Sequence, residues 1–319
     1  MEEAQTGRRY LVTGVLGAIG AWTARTLVER GATVVGLDLG GSQHRLDIAF
    51  EPRTRDGLEL VQGDIADLEA LERLLAGHGI TNVIHLAAMQ VPLVRERPAL
   101  GALVNVVGTV NVLEAARRAG MTGPVVYASS IAVFGPTEGT LPQTLYGVFK
   151  RANEETALRY FEDYGVPSIG LRPHTVYGPG RDQGLTSAPT VAMLAAAAGL
   201  PYEIPFGGRA QLQYLPDVAE AFVRASELDH RDACVHTLDG PSASIDEVVG
   251  LIEAAGGVDH GTITWRGDPL PFPGKADGSS FVELVGGSVN RPLADGIADS
   301  IEGFRRLLTQ GLVSPPTAH

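Results

Sequence analysis

The sequence predicts an α/β fold: a doubly wound parallel sheet with a smaller C-terminal α/β lobe. Three observations predict it. Short apolar runs alternate with helical stretches over the first 130 residues, roughly. A glycine-rich turn joins the first run to the first helix. After Gly180 the alternation weakens and turn-rich segments take over. Apolar strands alternating with helices imply a parallel sheet covered on both faces.

Tyr10-Leu11-Val12 is the first strand. It runs into Thr13-Gly14-Val15-Leu16-Gly17-Ala18-Ile19-Gly20, and a helix follows from Ala21 to Arg30 with Gly31 as its cap. Thr33-Val34-Val35-Gly36-Leu37 is the second strand and ends at Asp38. Strand, glycine turn, helix, strand and acid make one βαβ unit. Such a unit suits a dinucleotide. Gly14, Gly17 and Gly20 let the backbone approach a pyrophosphate, and the helix N-terminus offers free N–H groups and a positive dipole end. Asp38, roughly 20 residues past the turn, is placed to accept hydrogen bonds from the adenosine ribose hydroxyls. Its charge repels a 2′-phosphate. The first half therefore reads as a Rossmann-type domain for NAD rather than NADP.

The alternation continues. Leu58 to Gln62 is a strand ending near Asp64-Ile65, and a helix runs from Leu68 to Leu75. Asn82 to Leu86 is a strand followed by the small pair Ala87-Ala88. Asn105 to Ala119 is helical, and Pro124 to Ala128 is a strand ending at Ser129-Ser130. Ligands on such sheets bind beyond the carboxyl ends of the strands. Asp38, Asp64, Ala87, Ala88, Ser129 and Ser130 all fall there. A helix cap or a turn accounts for any one of them, but not for all six on one edge.

Tyr146 and Lys150 carry a second signal. The chain has only two lysines against 23 arginines, and one of them follows Tyr146 by four residues. On a helix this spacing puts phenol and ammonium on one face. A cation beside a phenol favours the phenolate, so Tyr146 is expected to have a lowered pKa and to move a proton near neutral pH. Taken alone, the pair also fits a solvated helix face.

Composition sets bounds. The 319 residues are 44% hydrophobic and 19% charged, ordinary for a globular enzyme. A net charge of −12 argues against nucleic acid and against an anionic membrane as partners. The single Cys234 forms no internal disulfide, and no Cys/His cluster has metal-ligand spacing, so no metal is expected. The segment Met1 to Tyr10 is polar, and the most apolar tract, Val191 to Leu200, is too short to span a bilayer. A cytoplasmic location and no membrane partner are the expectation.

The residues quoted so far, with Asn105-Val106-Val107-Gly108-Thr109-Val110-Asn111 and Leu171-Arg172-Pro173-His174-Thr175-Val176-Tyr177-Gly178-Pro179-Gly180, carry a family resemblance. The chain resembles the extended short-chain dehydrogenase/reductases, the NAD-dependent epimerase/dehydratase group that includes UDP-galactose 4-epimerase and sugar-acid dehydrogenases. The resemblance implies Tyr146 as catalytic acid/base. It implies Lys150 as the residue that holds the nicotinamide ribose, and Ser130 as the hydroxyl that orients the reacting alcohol or carbonyl. It implies a cofactor pocket of Gly14, Gly17, Ala18, Ile19, Gly20, Asp38, Asp64, Ile65, Leu86, Ala87, Ala88, Asn105, Ser129, Tyr146, Lys150, Pro173 and Val176. Gln90 falls on the nicotinamide side. A homodimer through paired helices near Asn105–Ala119 and Lys150–Tyr164 is also implied.

Departures narrow the activity. Dehydratases of the family carry an Asp-Glu pair after the catalytic hydroxyl, where this chain has Ile131-Ala132. Nucleotide-sugar enzymes carry an arginine before a segment that here reads Tyr214 to Ala219, where Ala210 stands at the matching position and Arg209 one residue away. The Ser130-to-Tyr146 loop is short. Residues 1–180 are read as the NAD-binding domain and 181–319 mainly as a substrate lobe, with some segments returning to the first. Within the second half the sequence predicts a helix from about Thr190 to Ala198, turn-rich strands over Pro201–Gln213, a Ser244-capped helix with Glu247 at its third position, and a last helix over Pro292–Leu308. Candidate substrate contacts are Gln90, Ser130, His174, Arg181, Gln183, Thr186 and Arg209. Convergent arginines suit a carboxylate or phosphate. The expected activity is an NAD-dependent dehydrogenase acting on a secondary hydroxyl of a sugar or sugar acid, a small polyhydroxylated substrate. The alternatives are an NAD-dependent sugar 4-epimerase with tightly bound NAD, and a catalytically inactive NAD-sensing protein.

Overall fold

The computed structural model describes residues 7–51 and 53–316. The polar segment that opens the chain lies largely outside them. In chain order the elements are β1 (Arg9–Thr13), α1 (Ala18–Glu29), β2 (Thr33–Asp38), α2 (His44–Phe50), β3 (Leu58–Gln62), α3 (Leu68–His78), β4 (Asn82–His85), α4 (Val91–Glu96), α5 (Pro98–Ala102), α6 (Gly108–Arg118), β5 (Val125–Ala128), α7 (Leu145–Tyr164), β6 (Ser168–Arg172), β7 (Thr175–Tyr177), α8 (Ala188–Ala197), β8 (Tyr202–Ile204), β9 (Arg209–Tyr214), α9 (Leu215–Glu227), β10 (Ala233–Thr237), β11 (Ser242–Ser244), α10 (Ile245–Gly256), β12 (Ile263–Trp265), α11 (Ser279–Val285) and α12 (Leu293–Thr309).

Seven strands form one sheet in the order β10-β6-β5-β4-β1-β2-β3, with every neighbouring pair parallel. The order reverses between β1 and β4, so the crevice beyond their carboxyl ends is the natural ligand position. Near-continuous apolar strands such as Tyr10-Leu11-Val12 and Val83-Ile84 are buried on both faces, as a covered parallel sheet requires. One face packs on α1 and α9 through Ala24, Leu27, Val218 and Phe222. The other packs on α3 and α6 through Leu71, Leu75, Val112 and Ala116. A separate core gathers α8, α10, α12 and the short sheets around Met193, Ile204, Val248 and Ile301.

Two expectations change. The helix expected to begin at Asn105 begins earlier, at Pro98. Proline is well tolerated in a first helical turn, and α5 continues into α6 through a π-helical turn at Leu103–Val107 that contains Asn105. The combined helix Pro98–Arg118 is also a longer apolar stretch than Val191–Leu200. It has 21 residues, and an 18-residue window of it has mean hydropathy 1.5, long and apolar enough by those measures to cross a membrane, yet half of that window is buried inside this fold.

Candidate active site

The glycine turn between β1 and α1 is packed so closely that only glycine fits. Gly14 has φ +70, and a Cβ there would lie 2.6 Å from the Ala87 backbone nitrogen. A Cβ on Gly20 would lie 2.1 Å from the Gly14 carbonyl oxygen. Helix α1 starts at Ala18 with Gly17 as N-cap and no side-chain cap, which leaves its first N–H groups without a side-chain partner. At the end of β2, Asp38 accepts hydrogen bonds from the Leu16 N–H at 3.0 Å and the Leu39 N–H at 2.9 Å. Burial pushes its carboxyl above the ordinary range, while those two donors and the Arg45 charge pull it back.

From this turn a single cleft of about 860 Å³ runs to Ser130, Tyr146 and Lys150. All the sequence-predicted site positions line it except Asn105 and Arg209. Asn105 is buried behind the wall. Its amide accepts from the Met89 N–H at 2.7 Å and donates to the Met89 carbonyl at 3.0 Å, which braces the backbone next to Gln90. Arg209 points elsewhere: at the start of β9 it donates to the Ser242 carbonyl at 2.9 Å and faces Glu247 at 3.7 Å. The cleft also brings in Arg45, Arg97 and Phe272, none of which the sequence singled out.

Ser130 and Tyr146 meet because α7 starts directly on the turn after β5. Thr144 caps α7, accepting from the Gly147 N–H at 3.0 Å. Ser130 caps the short 3₁₀ turn Ile131–Val133, accepting from the Ala132 N–H at 3.1 Å. A Cβ on Gly147 would lie 2.0 Å from the Ala132 carbonyl oxygen, so the two segments touch backbone to backbone. The Ser130 hydroxyl lies close enough to the Tyr146 phenol to act on its titration, and both line the cleft. Lys150 is buried, donates to the Ala128 carbonyl at 2.7 Å, and stands 5.7 Å from the Tyr146 ring centroid.

The electrostatics differ from the sequence expectation. Burial raises the Tyr146 pKa. Ser130 and Arg181 act against that rise, and Lys150 is not among the causes. Lys150 itself is pushed down to about 8 by burial, with Glu154 pulling it back up. The spacing correctly placed phenol and ammonium on one helix. It carried no information about how dry the site is, and desolvation dominates.

Arg181, Gln183 and Thr186 come together in one loop. The Arg181 guanidinium donates to the Gln183 carbonyl and, at 2.9 Å, to the Thr186 hydroxyl. Its neighbour Asp182 is bound by Arg45 at 2.6 Å, and Arg45 also reaches the Leu16 carbonyl at 3.3 Å. This ties the loop to the glycine turn. His174 is committed to structure. Its Nδ1 accepts from the Thr175 N–H at 2.9 Å, which leaves Nε2–H to donate to the Pro273 carbonyl at 2.5 Å. Burial lowers its pKa to about 4, so it is neutral near pH 7.

Behind the cleft lies His85, fully enclosed. Its Nδ1 is 2.7 Å from the Thr13 hydroxyl and its Nε2 is 3.1 Å from the Thr109 hydroxyl. The Thr109 hydroxyl donates to the Asn105 carbonyl at 2.8 Å, so it accepts from His85 Nε2–H. Burial and the Lys150 charge hold this imidazole neutral, with a pKa of about 3.

Comparison with known proteins adds to the geometry. The family model described as NAD dependent epimerase/dehydratase family matches residues 10–235. UDP-glucose 4-epimerase of Mycolicibacterium smegmatis is 31% identical over 93% of this chain and 98% of its own length. UDP-glucuronate 4-epimerase 4 of Arabidopsis thaliana is 35% identical over 54% of this chain, and the match spans 43% of that relative. Among solved structures, Thermus thermophilus UDP-glucose 4-epimerase in complex with NAD has a TM-score of 0.79 at 26% identity, covering 93% of this chain and 99% of that one. MoeE5 in complex with UDP-glucose and NAD has a TM-score of 0.76 at 28% identity, covering 94% and 99%.

Proposed function

We propose, from the premise that the chain belongs to the NAD-dependent epimerase/dehydratase family, that it is a dehydrogenase acting on a secondary hydroxyl or carbonyl of a sugar or sugar acid. The observation that carries this reading is the single cleft joining the glycine turn and Asp38 to Ser130, Tyr146 and Lys150. The cleft fits the cofactor: backbone approaches that only glycine permits face the place of a pyrophosphate, and an acid stands at the end of β2 for a ribose. When bound, NAD supplies the hydride acceptor or, reduced, the donor.

The chain's own residues do the rest. Ser130 holds the reacting oxygen of the substrate against Tyr146. Tyr146 gives its phenolic proton to a carbonyl or takes one from a hydroxyl. With its pKa raised by burial, the resting phenol is protonated near neutral pH and ready to donate. Lys150 holds the nearer ribose and supplies a positive charge from a dry pocket. Arg181, whose charge acts on the Tyr146 phenol, sits where a substrate carboxylate would meet a guanidinium fork. This supports a sugar acid over a neutral sugar. Arg209, outside the cleft, lends no support to pyrophosphate recognition.

A second reading is a 4-epimerase, favoured by a relative of that name aligned along nearly its whole length. The two differ in cofactor behaviour. Purified protein is incubated with NAD and a panel of aldonic, uronic and neutral sugars while NADH absorbance is followed, with Tyr146→Phe as control. Net NADH that is lost in the variant establishes the dehydrogenase. No absorbance change, tightly held NAD and an isomerised UDP-sugar establish the epimerase instead.

We also infer a homodimer. Leu103 and Val107 on the helix before α6, and Leu145, Val148 and Leu158 on α7, are large apolar side chains left exposed on adjacent helices. A second copy would cover them.

A further inference from the structure

One carboxylate, mostly withdrawn from solvent, touches three of the elements that build the site. Glu154 follows Lys150 by one helical turn on α7 and is only 10% exposed. Arg172, the last residue of β6, donates to it twice, from Nε at 2.7 Å and from Nη2 at 2.6 Å. The Ser129 hydroxyl donates to it as well. The Arg172 guanidinium also lies over the Phe134 ring, 4.9 Å from its centroid. Ser129 precedes Ser130, and its N–H donates to the Leu171 carbonyl at 2.7 Å. The Glu154 carboxylate therefore links the helix of Tyr146 and Lys150, the segment of Ser130, and the strand end that leads into Pro173 and His174.

We propose that Glu154 is a positioning residue, locking the Ser129–Ser130 segment to α7 and keeping the buried Lys150 ammonium charged. The proposal rests on the roles given above to Ser130, Tyr146 and Lys150. A buried ion pair seldom adds stability beyond what apolar packing would give. An Arg–carboxylate pair with a third donor, next to a dehydrated ammonium, calls for another explanation. The titratable and charged groups around Lys150 are Tyr146 and Glu154 on its own helix, His85 on β4, and Arg172 on β6 behind Glu154. Tyr127 on β5 also faces Glu154. His85 and Tyr127 are both held neutral by burial. Glu154 is thus the one negative charge in this set, and its influence opposes the burial that lowers Lys150.

The scarcity of lysine makes the test direct. Full-length protein with excess NAD is labelled with ¹³C at lysine Cε and titrated by NMR. Two lysine resonances are expected, and Lys275→Arg identifies the exposed one. The Lys150 midpoint should lie below the ordinary lysine value. In Glu154→Gln it should fall further. Simple loosening of the pocket would hydrate the ammonium and raise the midpoint, so the sign separates charge from structural damage. Glu154→Asp should restore most of the midpoint. An unchanged or raised midpoint in folded Glu154→Gln overturns the proposal. If that variant does not fold, Arg172→Gln decides: freed from its partner, Glu154 should raise the Lys150 midpoint, and no change overturns the idea. The readout needs no substrate, so a negative sugar panel and a negative titration are separate failures.

Discussion

His85 is the residue whose protonation the fold tolerates least. Its pKa falls from 6.5 to about 3 on folding. Between those values the unfolded chain binds more protons than the folded one, so stability drops as pH falls through that window and is fully present above it. Urea denaturation between pH 4 and pH 7 should show this loss, and His85→Gln should reduce its slope, the buried neutral His174 supplying part of what remains. A wild-type slope retained in the variant would assign the loss to other groups. Asp38 offers a second single-residue expectation. Loss of hydrogen bonds to a charged acceptor costs about 1.5–3 kcal/mol, so Asp38→Ala should weaken NAD binding roughly 10- to 100-fold and narrow the preference over NADP, as read by calorimetry. At this scale the sequence was informative about identity and silent about environment. The Tyr146–Lys150 spacing was visible because helical periodicity is local. The direction of the Tyr146 shift was not, because it is set by burial under segments distant in the chain, against which Ser130 and Arg181 pull.

At the scale of the element, the junction between the turn after β5 and α7 decides whether Ser130 meets Tyr146. Gly147 is the hinge of that contact. Gly147→Ala forces a methyl into backbone and should cost about 1–3 kcal/mol, the usual range for overpacking. It should also lower kcat while leaving NAD affinity near wild type. Equal loss of NAD affinity would mean that the damage spreads beyond the junction. Thr144→Ala, which removes only the cap, should cost about 1 kcal/mol and is checked by thermal melting. The strands and helices of the sheet were legible because their apolar periodicity is strong. The π-helical turn at Leu103–Val107 was not, since nothing in an apolar run distinguishes one extra residue per turn from an ordinary helix.

For the whole molecule, sequence order concealed which late segments return to the large sheet. Strand β10, at Ala233–Thr237, pairs with β6. Arg209 showed the converse: next to the matching position in the sequence, it is turned out of the cleft because β9 pairs antiparallel with β11. The inferred homodimer is tested at this scale. Val148→Glu combined with Leu103→Glu should halve the mass seen by light scattering, and an unaltered mass would place the interface elsewhere. The position of β10 also has a consequence for how the protein is made. On the ribosome β6 emerges first, and residues 173–232 must follow before its partner is synthesised. At about 5–20 residues per second, the nascent sheet waits several seconds with one edge unpaired and open to a neighbouring nascent chain. Slower growth temperatures and abundant chaperone should therefore raise the soluble yield, and a chain stopped after Gly180 should accumulate in inclusion bodies.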